Sequence, residues 1–210
     1  MTEKKFTSDW FSWNIPLWEK ILQNLKGKPN LNFLEIGTYE GRSAIWLLEN
    51  ILTDKSSKIH CIDIFDGNLP DNNFELEPHL NLNKNYYETF LENIQSYSSQ
   101  VIIYKGYSYE ILRNIKEIDF LDFVYIDGAH TAYETLSDAV YIDPMLKKGG
   151  LIIFDDYSNQ VDPNIIENNP KLGIDAFCQV FSQQYEKIHV GYSFPDWQLV
   201  LKKINDVHIV

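Results

Sequence analysis

The chemistry-bearing residues fall into two acidic groups, each tied to a short turn. The first is the stretch Glu35-x-Gly37-x-x-x-Gly41, followed by Asp63 about 20 residues past Gly41. The second is Asp127-Gly-Ala-His130 with Asp155-Asp156. A strand, a glycine turn and a helix N-terminus let backbone N–H groups come close to a ligand, because glycine lacks Cβ and the first helical turn has free donors. A lone pair of glycines at this spacing is more often an ordinary strand–helix connection. An acid placed like Asp63 can accept hydrogen bonds from ribose hydroxyls, and the plainer alternative is a turn or N-cap aspartate. Glu35 sits in an otherwise apolar strand, where a buried carboxylate is costly unless paired, and a cationic ligand group would offset that cost. Glu40 stands where a dinucleotide pyrophosphate would approach, which disfavours NAD.

Asp127, Asp155 and Asp156 end two apolar runs, so their carboxylates can converge. Three hard oxygen ligands in a partly open site suit Mg²⁺, which keeps waters, whereas zinc prefers His and Cys. The competing reading makes them helix and turn caps, a common use of aspartate. His130, three residues after Asp127, is either a general base near neutral pH or a loop-capping or adenine-edge histidine.

These groups need elements to hold them at one edge. Apolar runs at 31–37, 58–64, 101–104, 120–126 and 151–154 read as strands, and 42–52, 86–97, 107–115 and 133–146 read as helices. The alternation predicts a parallel sheet covered on both faces, with ligands beyond the carboxyl ends of the strands. Lys147-Lys-Gly-Gly150 reads as a helix stop. A helix over 174–184 and strands 187–190 and 198–202 around Gly191–Asp196 predict a terminal antiparallel hairpin. Residues 66–83 read as a long loop, rich in Asn, Asp and Pro. Before the alternation, Trp10, Trp13, Leu17, Ile21 and Leu25 form a helical stripe, with Pro16 implying two short helices. Residues 1–30 are therefore a helical segment, either packed on the domain or a lid over a pocket, and 31–210 a single domain.

The bulk composition narrows the classes. The chain has 210 residues, 44 % of them hydrophobic, so a full core can be buried. A net charge of −12 with no basic stripe argues against a nucleic-acid partner. Cys61 and Cys178 stand alone, with no CxxC motif, and read as reduced thiols. No run reaches the length of a membrane span, and the first residues lack the apolar core of a signal peptide. The expectation is a cytoplasmic protein, with its oligomeric state open.

The motif Glu35-x-Gly37-x-x-x-Gly41 resembles the first motif of class I S-adenosylmethionine-dependent methyltransferases, with Asp63 as their ribose-binding acid. Asp127-Gly-Ala-His130-Thr-x-Tyr133 and Lys148-Gly-Gly-Leu-Ile-Ile-Phe-Asp155-Asp156-Tyr157 resemble motifs of bacterial Mg²⁺-dependent O-methyltransferases of small molecules, of the sugar or macrolide type. The resemblance covers roughly residues 31–203. It implies a Rossmann-like, mostly parallel seven-stranded sheet with an antiparallel C-terminal strand and helices on both faces. It further implies S-adenosylmethionine bound by Glu35, Gly37, Thr38, Tyr39, Gly41, Ser43, Asp63, Ser108 and Asp127. Mg²⁺ would be held by Asp127, Asp155 and Asp156, with His130 or Asp127 as base toward a hydroxyl of a small-molecule acceptor. The alternatives are a metal-independent methyltransferase, a cofactor-binding protein, or an NAD or nucleotide-sugar enzyme on the same fold. Neither the 66–83 loop nor the tryptophan-rich N-terminus matches the family pattern, so the acceptor stays open.

Overall fold

The computed structural model describes residues 4–66, 86–116, 118, 120–160 and 162–206. Seven strands form one sheet: β1 (Asn32–Ile36), β2 (Lys58–Asp63), β3 (Val101–Lys105), β4 (Leu121–Ile126), β5 (Leu146–Phe154), β6 (Tyr185–Val190) and β7 (Leu199–Lys203). Their order across the sheet is β3-β2-β1-β4-β5-β7-β6. The first five pair in parallel, while β7 runs antiparallel to both β5 and β6. The chain reverses direction across the sheet between β1 and β4, so a crevice opens beyond their carboxyl ends.

Successive strand side chains point to opposite faces, and both faces are covered. Phe33, Ile59, Cys61, Phe123, Tyr125 and Ile153 lie on one side, under α1 (Ile15–Leu22), α2 (Arg42–Asn50) and α3 (Tyr86–Ile94). Leu34, Ile36, Ile62, Val124, Ile152 and Phe154 lie on the other, under α4 (Ser108–Asn114), α5 (Ala132–Ile142) and α6 (Pro170–Val180).

Several sequence expectations shift. Pro16 falls in the first turn of α1, where its missing N–H costs nothing, so one α-helix flanked by 3-10 turns replaces two helices. Its inward residues are Trp18 and Leu22, with Leu17 and Ile21 on the flanks. Trp18 is fully buried and meets Phe123 and Tyr125 edge-on, with ring centroids 5.6 and 4.8 Å away. This anchors the N-terminal segment in the core. Lys147–Gly150 is strand, not a helix stop. Pro144 ends the helical run in a 3-10 turn, Lys147 Nζ donates to Asp122 Oδ1 on β4 at 2.8 Å, and the pairing shifts register between Leu121 and Phe123. The last helix begins at Pro170, four residues before the expected start, because proline suits its first turn. The loop expected over 66–83 lies, beyond Asp66, outside the described residues.

Candidate functional site

The glycine turn is built against β4. Gly37 has φ +83°, and a Cβ there would stand 1.8 Å from the carbonyl oxygen of Asp127. No side chain fits, so the end of β1 and the end of β4 touch through backbone. Gly41, also at φ +83°, opens α2 beneath the Phe90 ring, 2.9 Å from where its Cβ would be. Four non-glycine residues among those described have positive φ, and Tyr39, Phe65 and Asp156 of these follow β1, β2 and β5. Backbone held in this costly region clusters at ligand sites.

Glu35 faces inward. It is fully buried, and its carboxylate accepts hydrogen bonds from the hydroxyls of Thr38 and Ser43. Burial, together with the Asp63 charge, pushes its pKa up to about 7 against these donors. The burial cost assigned to a cationic ligand is thus met by hydroxyls of the same turn. Glu35, Thr38 and Ser43 lock the strand, the turn and α2 together, and their side chains offer no surface to a ligand. Glu40 is likewise turned away: it is 1 % exposed and accepts from Thr7 N at 2.6 Å and Thr7 Oγ1 at 3.0 Å. The charge argument against a pyrophosphate therefore loses its basis in Glu40.

Asp63 braces the turn from β2. Its Oδ2 accepts from Tyr39 N at 2.8 Å and its Oδ1 from Phe65 N at 2.7 Å. Burial raises its pKa despite these amides. The Thr38 amide also lies against it, so the carboxylate keeps room for one further donor. Ser108, at the start of α4, hydrogen-bonds the buried carboxylate of Asp138 on α5. The pairing leaves Asp138 Oδ1 unpartnered, and burial pushes its pKa up to about 7.

The three aspartates of β4 and β5 converge. Asp127 accepts from Tyr125 OH at 2.9 Å and shares a hydrogen bond with Asp155. Asp155 Oδ1 also accepts from Gln198 Nε2 at 2.7 Å. Burial and the neighbouring carboxylates hold Asp127 well above the usual range, and burial with Asp156 pushes Asp155 up to about 6. Asp156 suffers the same burial, yet the hydrogen bond and charge of His130 keep it low. His130 Nε2 lies 3.0 Å from Asp156 Oδ2, and donor atoms of Asp127, His130 and Asp156 all fall within 4.8 Å of one another. The tightest trio thus contains His130, while Asp155 is the carboxylate tied to the hairpin. Asp127 does not cap the next helix, whereas Asp156 does brace the turn after β5, its Oδ1 accepting from Asn159 Nδ2 at 3.1 Å. Thr131 caps α5, its Oγ1 accepting from Glu134 N at 3.3 Å and donating to Glu134 Oε2 at 2.7 Å, and α6 starts fourteen residues beyond Asp156.

Sequence reasoning missed several members. Tyr125 could have been found, because it stands two residues before Asp127 on the same strand face. Gln198 gave no signal. It joins Asp155 to Trp18, whose Nε1 donates to it at 2.8 Å, through contacts far apart in sequence. The N-terminal strap was visible only as tryptophans. Thr7 and Trp10 lie on the turn, with the Trp10 ring 5.3 Å from that of Tyr39.

This fold, with its glycine turn at the sheet's reversal point, is the Rossmann-like fold of class I methyltransferases. Residues 34–157 match the family model described as a methyltransferase domain, more than half of the chain, and the protein belongs to that family. An uncharacterized protein of Acanthamoeba polyphaga mimivirus is 28 % identical over 144 residues, which cover 66 % of this chain and 58 % of that protein. The chain thus spans little more than half the length of this relative. Among solved structures, the Bacillus cereus O-methyltransferase in complex with S-adenosylhomocysteine (SAH) superposes with a TM-score of 0.64 at 16 % identity, covering 97 % of this chain and 84 % of that one. The MycE methyltransferase of the mycinamycin pathway, in complex with Mg, SAH and mycinamycin VI, gives 0.63 at 13 % identity, covering 97 % and 52 %. Among the described residues no helix is long and apolar enough to cross a membrane.

Proposed function

We propose that the chain is an S-adenosylmethionine-dependent methyltransferase that transfers a methyl group to a hydroxyl of a small molecule, assisted by a divalent cation. One observation carries the reading: Gly37 abuts the Asp127 carbonyl so closely that the nucleoside side and the carboxylate side form one continuous lip. Asp63 would hold the ribose, Ser108 the adenine side, and the backbone of Gly37–Gly41 the methionine part. Glu35, Thr38 and Ser43 act as positioning residues for that backbone.

The donor set fits a hard cation. Asp127, Asp155 and Asp156 crowd together: Asp127 and Asp155 share a hydrogen bond, and His130 pairs with Asp156. Mg²⁺ or Mn²⁺, which prefer carboxylate oxygens, would take the place of the proton that Asp127 and Asp155 share. Such a cation would act as a Lewis acid that lowers the acceptor hydroxyl's pKa, and S-adenosylmethionine would supply a sulfonium-activated methyl group. This chain's own part is to orient the hydroxyl, take its proton on the His130 ring nitrogen that Asp156 leaves free or on an Asp127 oxygen, and hold the partners in line. The 3.0 Å contact between His130 and Asp156 also supports a second reading, in which this pair serves as base without a metal. A cytoplasmic setting accords with the two free cysteines.

Calorimetric titration with SAH, with and without Mg²⁺, tests the proposal. Micromolar binding of SAH is expected, and EDTA-sensitive transfer would favour the metal-assisted form over the His130 form. Binding of NAD with none of SAH would overturn both.

A further inference from the structure

The lip of the sheet has a linear order. From β2 to the terminal hairpin it presents Asp63, Gly37, Asp127, Asp155-Asp156 and then the loop Gly191–Gln198. Neighbouring strands lie about 4.8 Å apart, so the hairpin stands one spacing beyond the carboxylates and roughly 15 Å beyond the glycine turn. A nucleoside at Asp63 and Gly37 leaves the hairpin end for the other reactant.

That end is aromatic. The Trp13 ring of the N-terminal strap lies 5.8 Å from that of Phe194, and Phe194 lies 5.4 Å from Trp197. Phe194 is 64 % exposed, and both tryptophans are partly exposed. The loop is pinned to the carboxylates through Gln198 on Asp155 and through Ser158 N donating to the Trp197 carbonyl at 3.2 Å. It is also braced internally: His189 Nε2 contacts Asp196 Oδ2 at 2.9 Å, and a Cβ on Gly191 would strike Asp196 Oδ1 at 2.3 Å. Three aromatic rings fixed beside an acidic cluster call for an occupant with an apolar face.

Charge narrows that occupant. Neither residues 6–14 nor residues 191–198 contain Lys or Arg, and both carry an aspartate. The neighbouring Arg42 is turned onto the Ser8 carbonyl and Asp9. Nothing in these two segments would bind a phosphate. We propose that Trp13, Phe194 and Trp197 form the acceptor shelf, and that it takes an uncharged ring with an apolar face and a hydroxyl at the edge nearest Asp155. This rests on the methyltransferase reading for the word acceptor, though the shelf can be tested without transfer. The ring is either a phenol, stacking its π face, or a sugar, stacking its C–H face; what the two share is the apolar face and the hydroxyl at its edge.

The test uses the full chain labelled with 5-fluorotryptophan, with the Trp13 and Trp197 fluorine resonances assigned through Trp13→Phe and Trp197→Phe. The probes are 4-methylcatechol, methyl β-xylopyranoside and feruloyl-coenzyme A, each with and without SAH. At least one uncharged ring is expected to move both resonances saturably, which also identifies the ring type. Phe194→Ala, at a position 64 % exposed, is expected to weaken that binding about tenfold and leave SAH affinity within twofold. The proposal fails if neither uncharged ring moves the two resonances, if feruloyl-coenzyme A moves them at lower concentration, or if Phe194→Ala changes the affinity less than twofold. Rings that bind the shelf while SAH fails to bind would leave the shelf standing and sink the methyltransferase reading instead.

Discussion

Replacing Asp138 by asparagine is expected to stabilise the protein at high pH and have little effect at low pH. Asp138 is 2 % exposed, one of its oxygens has no partner, and Ser108 supplies its hydrogen bond. Burial raises its pKa from 3.8 to about 7. The folded state therefore holds this proton where the unfolded chain has lost it. The associated stability is fully present below the unfolded value and is lost as pH rises through the folded one. Between pH 3.8 and about pH 7 some three pH units act, each about 1.4 kcal/mol, so the cost of the charge grows by about 4 kcal/mol over that window. Asparagine keeps the shape and an acceptor for Ser108 but cannot ionise. The melting temperature of Asp138→Asn should exceed that of the parent by roughly 8–16 °C at pH 8, with the gap narrowing at pH 5 and closing toward pH 4. Other buried carboxylates tilt both curves alike, so the difference isolates this residue. Urea unfolding at pH 5, 6, 7 and 8 supplies the free energies. A gap independent of pH, or an asparagine variant less stable at pH 8, would refute the reasoning.

Gly37→Ala should lower cofactor affinity by well over tenfold and destabilise the fold by at least about 1–2 kcal/mol, since it forces φ +83° on an L residue and drives Cβ into the Asp127 carbonyl; SAH calorimetry with thermal melts reads both. Asp63→Ala should weaken SAH binding and also lower the melting temperature, because two turn amides lose their acceptor. Unchanged binding would remove Asp63 from the ribose role. Asp155→Asn combined with Asp156→Asn should abolish Mg²⁺-dependent transfer and leave SAH affinity within a few fold. Loss of SAH binding with metal dependence intact would overturn the split between the two acidic groups. Trp18→Phe should cost about 1 kcal/mol or more, because Gln198 loses its buried donor, and urea titration would measure it.

Much of this arrangement was legible in the chain. Apolar runs that end in acids or glycine give the strands and tell which edge is polar, because a fully buried strand must end where it can expose a charge. The same logic grouped Asp127 with Asp155 and Asp156 before any geometry was known. What escaped was the direction of individual carboxylates. Glu35 and Glu40 looked like ligand contacts by position, yet their partners are Thr38, Ser43 and Thr7, and Thr7 lies 33 residues from Glu40. Periodicity reports which face a residue takes, not which donor waits there. The N-terminal stripe is one residue out of phase for a related reason: α1 has apolar residues at Ile15, Leu17, Trp18, Ile21 and Leu22, and only the core's shape selects Trp18 and Leu22 over Leu17 and Ile21.

The buried hydroxyls around Glu35 also explain how a site can be both acidic and precise. A carboxylate facing the crevice would titrate with every ligand charge that arrived. Glu35 instead spends its hydrogen-bonding capacity inside the turn, where it fixes Thr38 and the first turn of α2 relative to β1. The backbone that faces the crevice is thereby held rigid without a side chain intervening, which suits a ligand read by N–H groups. The carboxylates left facing outward are those of β4 and β5, where neighbouring charges are costly until a cation or a proton arrives. Each acid's place thus follows from its strand, with Glu35 and Asp63 bracing the turn from β1 and β2 and the aspartates of β4 and β5 crowding together at the same lip.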